Sequence, residues 1–287
     1  MVARLFTIAL LAGLLSGCSK NKKEDAANPA DQGNTAAKIQ PVDTANAFAF
    51  LHRSFKDATV AEPPDGAKRP PDVTAAGKSV GMMYEQIAGV NGTGGLWDQI
   101  RFVTPEGKRI SYSATIKTDL GDIDLELYPD AAPNHVRNFV ALAKVGYFDG
   151  LAFDFVMNQM IDEMPWTCVL AGCPLSTAEA GFGSIGYWLQ PEYSDKNSHE
   201  PGTIGAWHDL ALDSAASKFY INLTKAPWLD LGYTIFGRVT KGLEIAQKIS
   251  AQPLQVDEGS SPRAEEKSGR PRQPVIMRSV TIHTKVE

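Results

Sequence analysis

Much that would point to a familiar chemistry is missing from these 287 residues. There is no His-Glu-x-x-His pair, no Cys-x-x-Cys and no P-loop, so the common zinc and nucleotide-cradle scaffolds are excluded. The formal charge of −5 and the lack of a basic stripe interleaved with aromatics give no reason to expect nucleic acid. The apolar run at the N terminus, Leu5 to Leu15, falls short of the roughly 20 residues that a membrane-spanning helix needs. No internal repeat is visible. Hydrophobic residues nevertheless make up 43% of the chain, ample for a core.

What the N terminus does carry is a targeting layout. Arg4 supplies a positive n-region, Leu5 to Leu15 the apolar stretch, and small residues lead to Cys18. Leu15-Ser16-Gly17-Cys18 resembles a bacterial lipobox, in which cleavage leaves the cysteine N-terminal and diacylglyceryl-modified. On this reading residues 1–17 are a signal peptide, and lipid on Cys18 anchors the protein to a membrane without a spanning helix. The folded part would then face the periplasm or the cell exterior. Residues 18–43 are small and polar, unable to offset their ordering entropy, and are expected to form a flexible tether. Of the remaining cysteines, Cys168 and Cys173, a disulfide closing the short loop suits an oxidising compartment. Two buried free thiols are the other reading. Two thiols without a histidine at ligand spacing make no tetrahedral site, and neither metal nor cofactor is expected.

Residues 44–109 read as a partly helical extension. Thr44 to Asp57 spaces Phe48, Leu51 and Phe55 as one helix face, with Thr44 as a cap. Lys78 to Val90 places Val80, Met83, Tyr84 and Ile87 on another, and Asn91-Gly92-Thr93-Gly94-Gly95 breaks it. The apolar faces of both helices are expected to pack onto the larger domain C-terminal to them. From Ile110 the period changes to two, and SYSATIKTDLGDIDLELYPD alternates apolar and polar residues on both sides of a turn at Asp119-Leu120-Gly121-Asp122. Asp130 to Tyr147 is then an amphipathic helix, with Pro133 in its first turn, Val136, Phe139, Val140, Leu142 and Ala143 on one face, and Gly146 past its end.

This order of hairpin, Ala-Ala-Pro-led helix and Gly-Tyr-Phe-Asp-Gly resembles the start of a cyclophilin-type peptidyl-prolyl isomerase. Gly202 to Asn222, GTIGAWHDLALDSAASKFYIN, and Trp228 to Val239, WLDLGYTIFGRV, resemble its second half. Pro274 to Lys285 resembles the closing strand, and Gln252 to Gln273 between them, rich in Pro, Ser and charge, is expected to be a mobile insertion. The resemblance implies a mainly β fold: a closed antiparallel β-barrel with flanking α-helices over residues 110–287, preceded by the extension.

It also implies a site. Prolyl isomerisation needs an apolar slot for the proline ring and a donor aimed at the prolyl nitrogen, which gains lone-pair character as the amide twists. In cyclophilins an arginine in a Phe-His-Arg-Val segment is that donor. Phe153 and Val156 keep the frame here, but Asp154 takes the histidine place and Phe155 the arginine place. Trp228 and Leu229 fall on the family's pocket tryptophan and leucine, and Tyr220 on its slot-flooring phenylalanine. Tyr233 stands where histidine is common, and Lys218 where a glutamine holds the substrate backbone. His208, Asp209 and Leu210 lie on the strip that passes over the peptide. Lys218 and His208 are candidate replacement donors. Met160, or a residue near Val169, fills the place of a further family phenylalanine that walls the slot, and an insertion containing Pro165 and Trp166 borders the pocket.

The resulting expectation is a monomeric, lipid-anchored cyclophilin-like protein acting on X-Pro bonds of cell-envelope polypeptides, with weakened catalysis. A proline-peptide-binding or chaperone-like lipoprotein is the alternative. A purely structural lipoprotein, favoured by Trp166 lying in the slot, is the third reading.

Overall fold

Period-two alternation folds the chain into strands from Ile110 onward. A computed structural model describes residues 52–161, 163–209, 211–255 and 267–287. Strands β1 (Ile110–Thr118) and β2 (Gly121–Leu127) form the expected hairpin, with Ala114, Ile116, Ile123 and Leu125 pointing inward. Six more strands follow: β3 (Ala152–Ile161), β4 (Met164–Ala171), β5 (Thr203–Ala206), β6 (Phe219–Asn222), β7 (Ile235–Lys241) and β8 (Val275–Val286). They close into an antiparallel barrel in the order β8-β1-β2-β7-β5-β6-β4-β3, with β3 returning to β8 through Phe153–Val275 and Ala152–Ile276. Closure leaves no long free edge. Phe139, Phe148, Phe219 and Phe236 fill one end, the last three with ring centroids 5.1–5.6 Å from Phe139.

Helices α1 (Phe55–Ala58), α2 (Val80–Ala88) and α3 (Leu96–Gln99) belong to the extension, α4 (Pro133–Lys144) and α5 (Leu243–Ser250) to the barrel. Only the C-terminal part of the first expected helix lies within the described residues, and there the helix begins at Phe55. His52 to Ser54 are not helical, and Ser54 is the cap, accepting from the Asp57 N–H at 3.2 Å. The Arg53 carbonyl accepts instead from Trp97 Nε1 at 3.1 Å, so tertiary bonds claim the backbone that would have extended the helix. Thr44, Phe48 and Leu51 lie outside the described residues, as do the signal peptide, Cys18 and the tether. Helix α2 follows its pattern. Gly77-Lys78-Ser79-Val80-Gly81 does match the Gly-x-Ser-x-Gly spacing of a hydrolase elbow, but Ser79 caps α2, accepting from Met82 N at 3.4 Å, and no histidine bonds it among the described residues.

The described ends of the insertion are also more ordered than their composition suggests. Leu254–Gln255 pairs with Arg270–Pro271, Gly269 bridges Val156, and the Ser268 hydroxyl accepts from Asn158 N at 2.7 Å. The return limb thus lies along β3, while residues 256–266 lie outside the described set. No helix among the described residues is long and apolar enough to cross a membrane.

Helix α4 departs from a one-faced amphipath. Every residue from Asn134 to Ala143 is buried, polar ones included, because the extension covers the side that faces away from the barrel. Phe55, Tyr84, Trp97 and Tyr187 interlock edge-to-face there, with Phe55 ring centroids 4.9–5.9 Å from the other three. Arg137, fully buried, donates to Ile100 O at 3.1 Å and Asn134 Oδ1 at 3.2 Å, and its guanidinium lies 5.4 Å from the Trp97 ring and 5.1 Å from Phe102. The described part of the extension and the barrel accordingly form one compact unit. Removing a charged donor strands buried carbonyls, so Arg137→Ala should lose more than about 3 kcal/mol of stability in urea unfolding, while the exposed Arg272→Ala stays within about 0.5 kcal/mol.

Candidate functional site

The β3–β4 hairpin carries the first half of the site. Pairing of Phe155 with Leu170, Met157 with Cys168 and Gln159 with Trp166 puts these side chains on one face. Leu170, Cys168 and Trp166 are buried there against Tyr220, Ala226 and Leu229, ringed by half-buried Phe155, Met157, Ile161, Trp207, Trp228 and Tyr233. Met160 sits on the opposite face, paired with Pro165, so it does not line this cluster. Trp166, from the insertion expected to border the slot, lies among its rings. The indole is 3% exposed and stands among the slot's own rings, with centroids 6.5 Å from Tyr220, 6.4 Å from Trp207 and 6.3 Å from Tyr233. Its Nε1 donates to Asn222 Oδ1 at 3.2 Å.

Tyr220, on β6, is fully buried, and its hydroxyl is spoken for. It lies 2.7 Å from His199 Nε2, while His199 Nδ1 lies 2.6 Å from Asp230 Oδ1. The carboxylate assigns the proton to Nδ1, so Nε2 accepts from the phenol. Burial lowers the His199 pKa against the opposing pull of Asp230, which keeps the ring neutral. The opposite residue on β5 must be Gly205, because a Cβ there would overlap the Tyr220 ring.

Residues 207–209 form a strap over the cluster, held at several points. Lys218, 2% exposed, pairs with Asp209 Oδ1 at 3.1 Å, and the same carboxylate accepts from Trp207 Nε1 at 3.2 Å and Gly181 N at 2.8 Å. Lys218 is therefore neither a solvated lysine nor a free donor. His208 stacks on Tyr233 at 4.2 Å between centroids, and its Nδ1 and Nε2 each face a carbonyl oxygen, of Asp209 and of Gly232, at 3.0 Å. Both candidate replacement donors are thus occupied within the protein. Leu210 lies outside the described residues. By contrast the Trp228 indole N–H, buried at the site, has no hydrogen-bond partner among the described residues.

Asp154 falls on a β-bulge, where Phe153 pairs with Ala171 but Phe155 with Leu170. It is 3% exposed, and its Oδ2 has no hydrogen-bond partner among the described residues. Burial raises its pKa to about 7 even though Lys218 beside it pulls the other way. The two cysteines are free thiols, which corrects the disulfide reading. Strand β4 runs extended from Cys168 to Ala171, already about 10 Å at ~3.3 Å per residue, against the 7 Å limit between bridged Cα atoms. Burial also raises the Cys168 thiol well above its ordinary pKa.

Residues 113–282, more than half of the chain, match the family described as cyclophilin type peptidyl-prolyl cis-trans isomerase/CLD. The chain belongs to the cyclophilin-type peptidyl-prolyl isomerase family. Peptidyl-prolyl cis-trans isomerase B of Bacillus subtilis (strain 168) is 37% identical over 133 residues, covering 46% of this chain and 85% of that protein. Peptidyl-prolyl cis-trans isomerase cyp15 of Rhizopus delemar is 32% identical over 166 residues, 58% of this chain; the match spans only 25% of that much longer relative. A crystal structure of a Cryptosporidium parvum cyclophilin type isomerase matches with a TM-score of 0.46 and 22% identity, over 60% of this chain and 98% of its own.

Within that family frame, the structure gathers Phe155, Tyr220, Trp228, Leu229 and Tyr233 in one cluster and sets Asp209, His208 and Lys218 beside it. Trp207, His199 and Asp230 are among the participants with no counterpart among the expected site residues. Trp207 had a signal, since it adjoins the strap. His199 and Asp230 had none, because they meet across 31 residues of sequence.

The Asp154 carboxyl gives a pH test. Its folded pKa, about 7, exceeds the ordinary Asp value of 3.8, so the native state holds the proton that the unfolded state releases. Stability from this group is complete below pH 3.8 and is lost as pH rises to about 7. Asp154→Asn should flatten that decline and raise Tm at pH 8 more than at pH 4, as read by thermal unfolding across that range.

Proposed function

We propose that this chain is a monomeric, polypeptide-binding cyclophilin with strongly reduced prolyl isomerisation, tethered by lipid on Cys18 to a bacterial membrane and acting on X-Pro segments of cell-envelope proteins. The observation that carries the reading is the missing donor. Phe155 stands at the arginine place, Lys218 is buried against Asp209, and both nitrogens of His208 face carbonyl oxygens. Twisting an amide crosses a barrier of about 18–20 kcal/mol. Losing one transition-state donor typically costs about 3 kcal/mol, or a hundredfold or more in rate. Binding does not need that donor. Half-buried Phe155, Met157, Trp207, Trp228 and Tyr233 offer apolar surface to a bound peptide.

A second reading, a structural lipoprotein that keeps the barrel and contacts partners elsewhere, is favoured by one observation: Trp166 lies buried among the slot's aromatic rings. Isomerisation of a short X-Pro peptide by the chain from Val42, beside its Phe155→Arg variant, separates these. The unaltered protein should stay near the uncatalysed rate and the variant should gain at least about tenfold, short of the full hundredfold because Trp166 crowds the slot. Robust turnover by the unaltered protein would overturn the reading. No turnover by either, together with no peptide binding by NMR, would favour the structural lipoprotein.

The anchor rests on the residue pattern before Cys18. Full-length protein should partition with membranes and incorporate labelled fatty acid, and Cys18→Ala should abolish the incorporation; labelling that persists in the variant would refute lipidation at this residue.

A further inference from the structure

Leu231 holds a backbone conformation that is costly for a bulky side chain, and it exposes that side chain to solvent. Its φ is +60°, in the left-handed region where Cβ crowds the following carbonyl, and it is 60% exposed. The other non-glycine residues with positive φ among those described are Asn91, Glu163, Ser176 and Ala178, all small or polar. A large aliphatic that exposed gains little from burial. Asparagine or glycine would fit the same backbone with less strain.

The turn cannot relax, because it is pinned from both sides. Before it, Asp230 accepts from Ser198 Oγ at 2.5 Å and His199 N at 2.9 Å, and Leu229 O accepts from Gly232 N and Tyr233 N at 3.0 and 3.1 Å. After it, Gly232 O faces His208 Nε2 on the strap at 3.0 Å. The residues flanking this turn, Leu229 and Tyr233, belong to the aromatic cluster. Strain that the surroundings over-determine, beside a binding site, points to a functional side chain. We propose that Leu231 is a specificity-determining residue that contacts a large apolar side chain flanking the proline of a bound polypeptide. The inference rests on the peptide-binding reading above. It narrows the ligand class to X-Pro segments with bulky aliphatic or aromatic neighbours.

The test uses the full chain in detergent, with Phe-Pro-Phe and Ala-Pro-Ala peptides titrated by NMR against the unaltered protein, Leu231→Ala and Leu231→Gly. The unaltered protein should prefer Phe-Pro-Phe by about tenfold, and both variants should cut that preference below about threefold. Leu231→Gly should also raise Tm by about 3 °C by releasing strain, whereas Leu231→Ala, which keeps Cβ, should not. An unchanged preference in both variants, with binding intact, overturns the assignment. So does an equal loss of both peptides, which would make Leu231 part of the fold. Failure of the unaltered protein to bind either peptide overturns the peptide-binding reading itself, and this inference with it.

Discussion

A lysine ammonium removed from water must find a carboxylate, and the arrangement of this site follows from the one Lys218 finds. Its partner Asp209 sits on the strap, so the ion pair fastens the strap to the base of β6. Asp209 has further duties at short range, accepting from the Gly181 N–H and the Trp207 indole. A buried pair of this kind is weak evidence of net stability but costly to break, since either partner alone would be left charged in an apolar setting. The consequence for chemistry is direct. A cation whose charge holds the strap is not available to a twisting amide.

The neighbouring hairpin shows how chain length alters a pocket. Fourteen residues separate Phe155 from its partner Leu170, and the hairpin that spans them runs on to Ile161 and Met164. Period-two geometry then forces Trp166, Cys168 and Leu170 onto the same face as Phe155 and Met157. Once the strand is that long, a tryptophan at 166 has no choice of side. Its indole finds Asn222 for its N–H and the rings of Tyr220, Trp207 and Tyr233 for its faces. Asp154, one residue before Phe155, is the counterpart strain: the bulge that re-aims the strand leaves a carboxyl buried with one oxygen lacking a partner among the described residues.

The barrel was legible because alternation and turn residues act locally. Ile116, Ile123 and Leu125 point inward for the same reason that they alternate in the sequence. The rings of Tyr220, Trp228 and Tyr233, and Leu229 beside them, were legible through family resemblance alone. Three features were not. Met160 fell on the wrong face because strand parity depends on where the hairpin turns, and an insertion hides that position. Lys218 and His208 looked like free polar groups because their partners, Asp209 and Gly232 O, are set by tertiary folding. The disulfide between Cys168 and Cys173 looked plausible by spacing, but an extended strand stretches a gap that a loop would have closed.

The extension joins the site through the same carboxylate. Lys68 N donates to Gly181 O at 3.1 Å, and Gly181 N donates to Asp209 Oδ2 at 2.8 Å, so a single residue links the segment 65–68 to the strap. Gly181 must be glycine: its φ is +86°, and a Cβ would overlap the Gly66 carbonyl. Lys68 adds an ion pair to Glu179 and lies 4.8 Å over the Phe182 ring. On the far side, Glu192 caps α4 through Asn134 N and His135 N, while its own N–H donates to Thr234 Oγ1 at 2.9 Å, next to Tyr233. The segment 179–192 is therefore clamped between the extension and the barrel, with the strap hanging from one end and the start of α4 from the other. An extension that only decorated the barrel would leave those contacts unmade. Here it completes the hydrogen bonding of the loop that positions Asp209, and through Asp209 it fixes Lys218 and Trp207 as well.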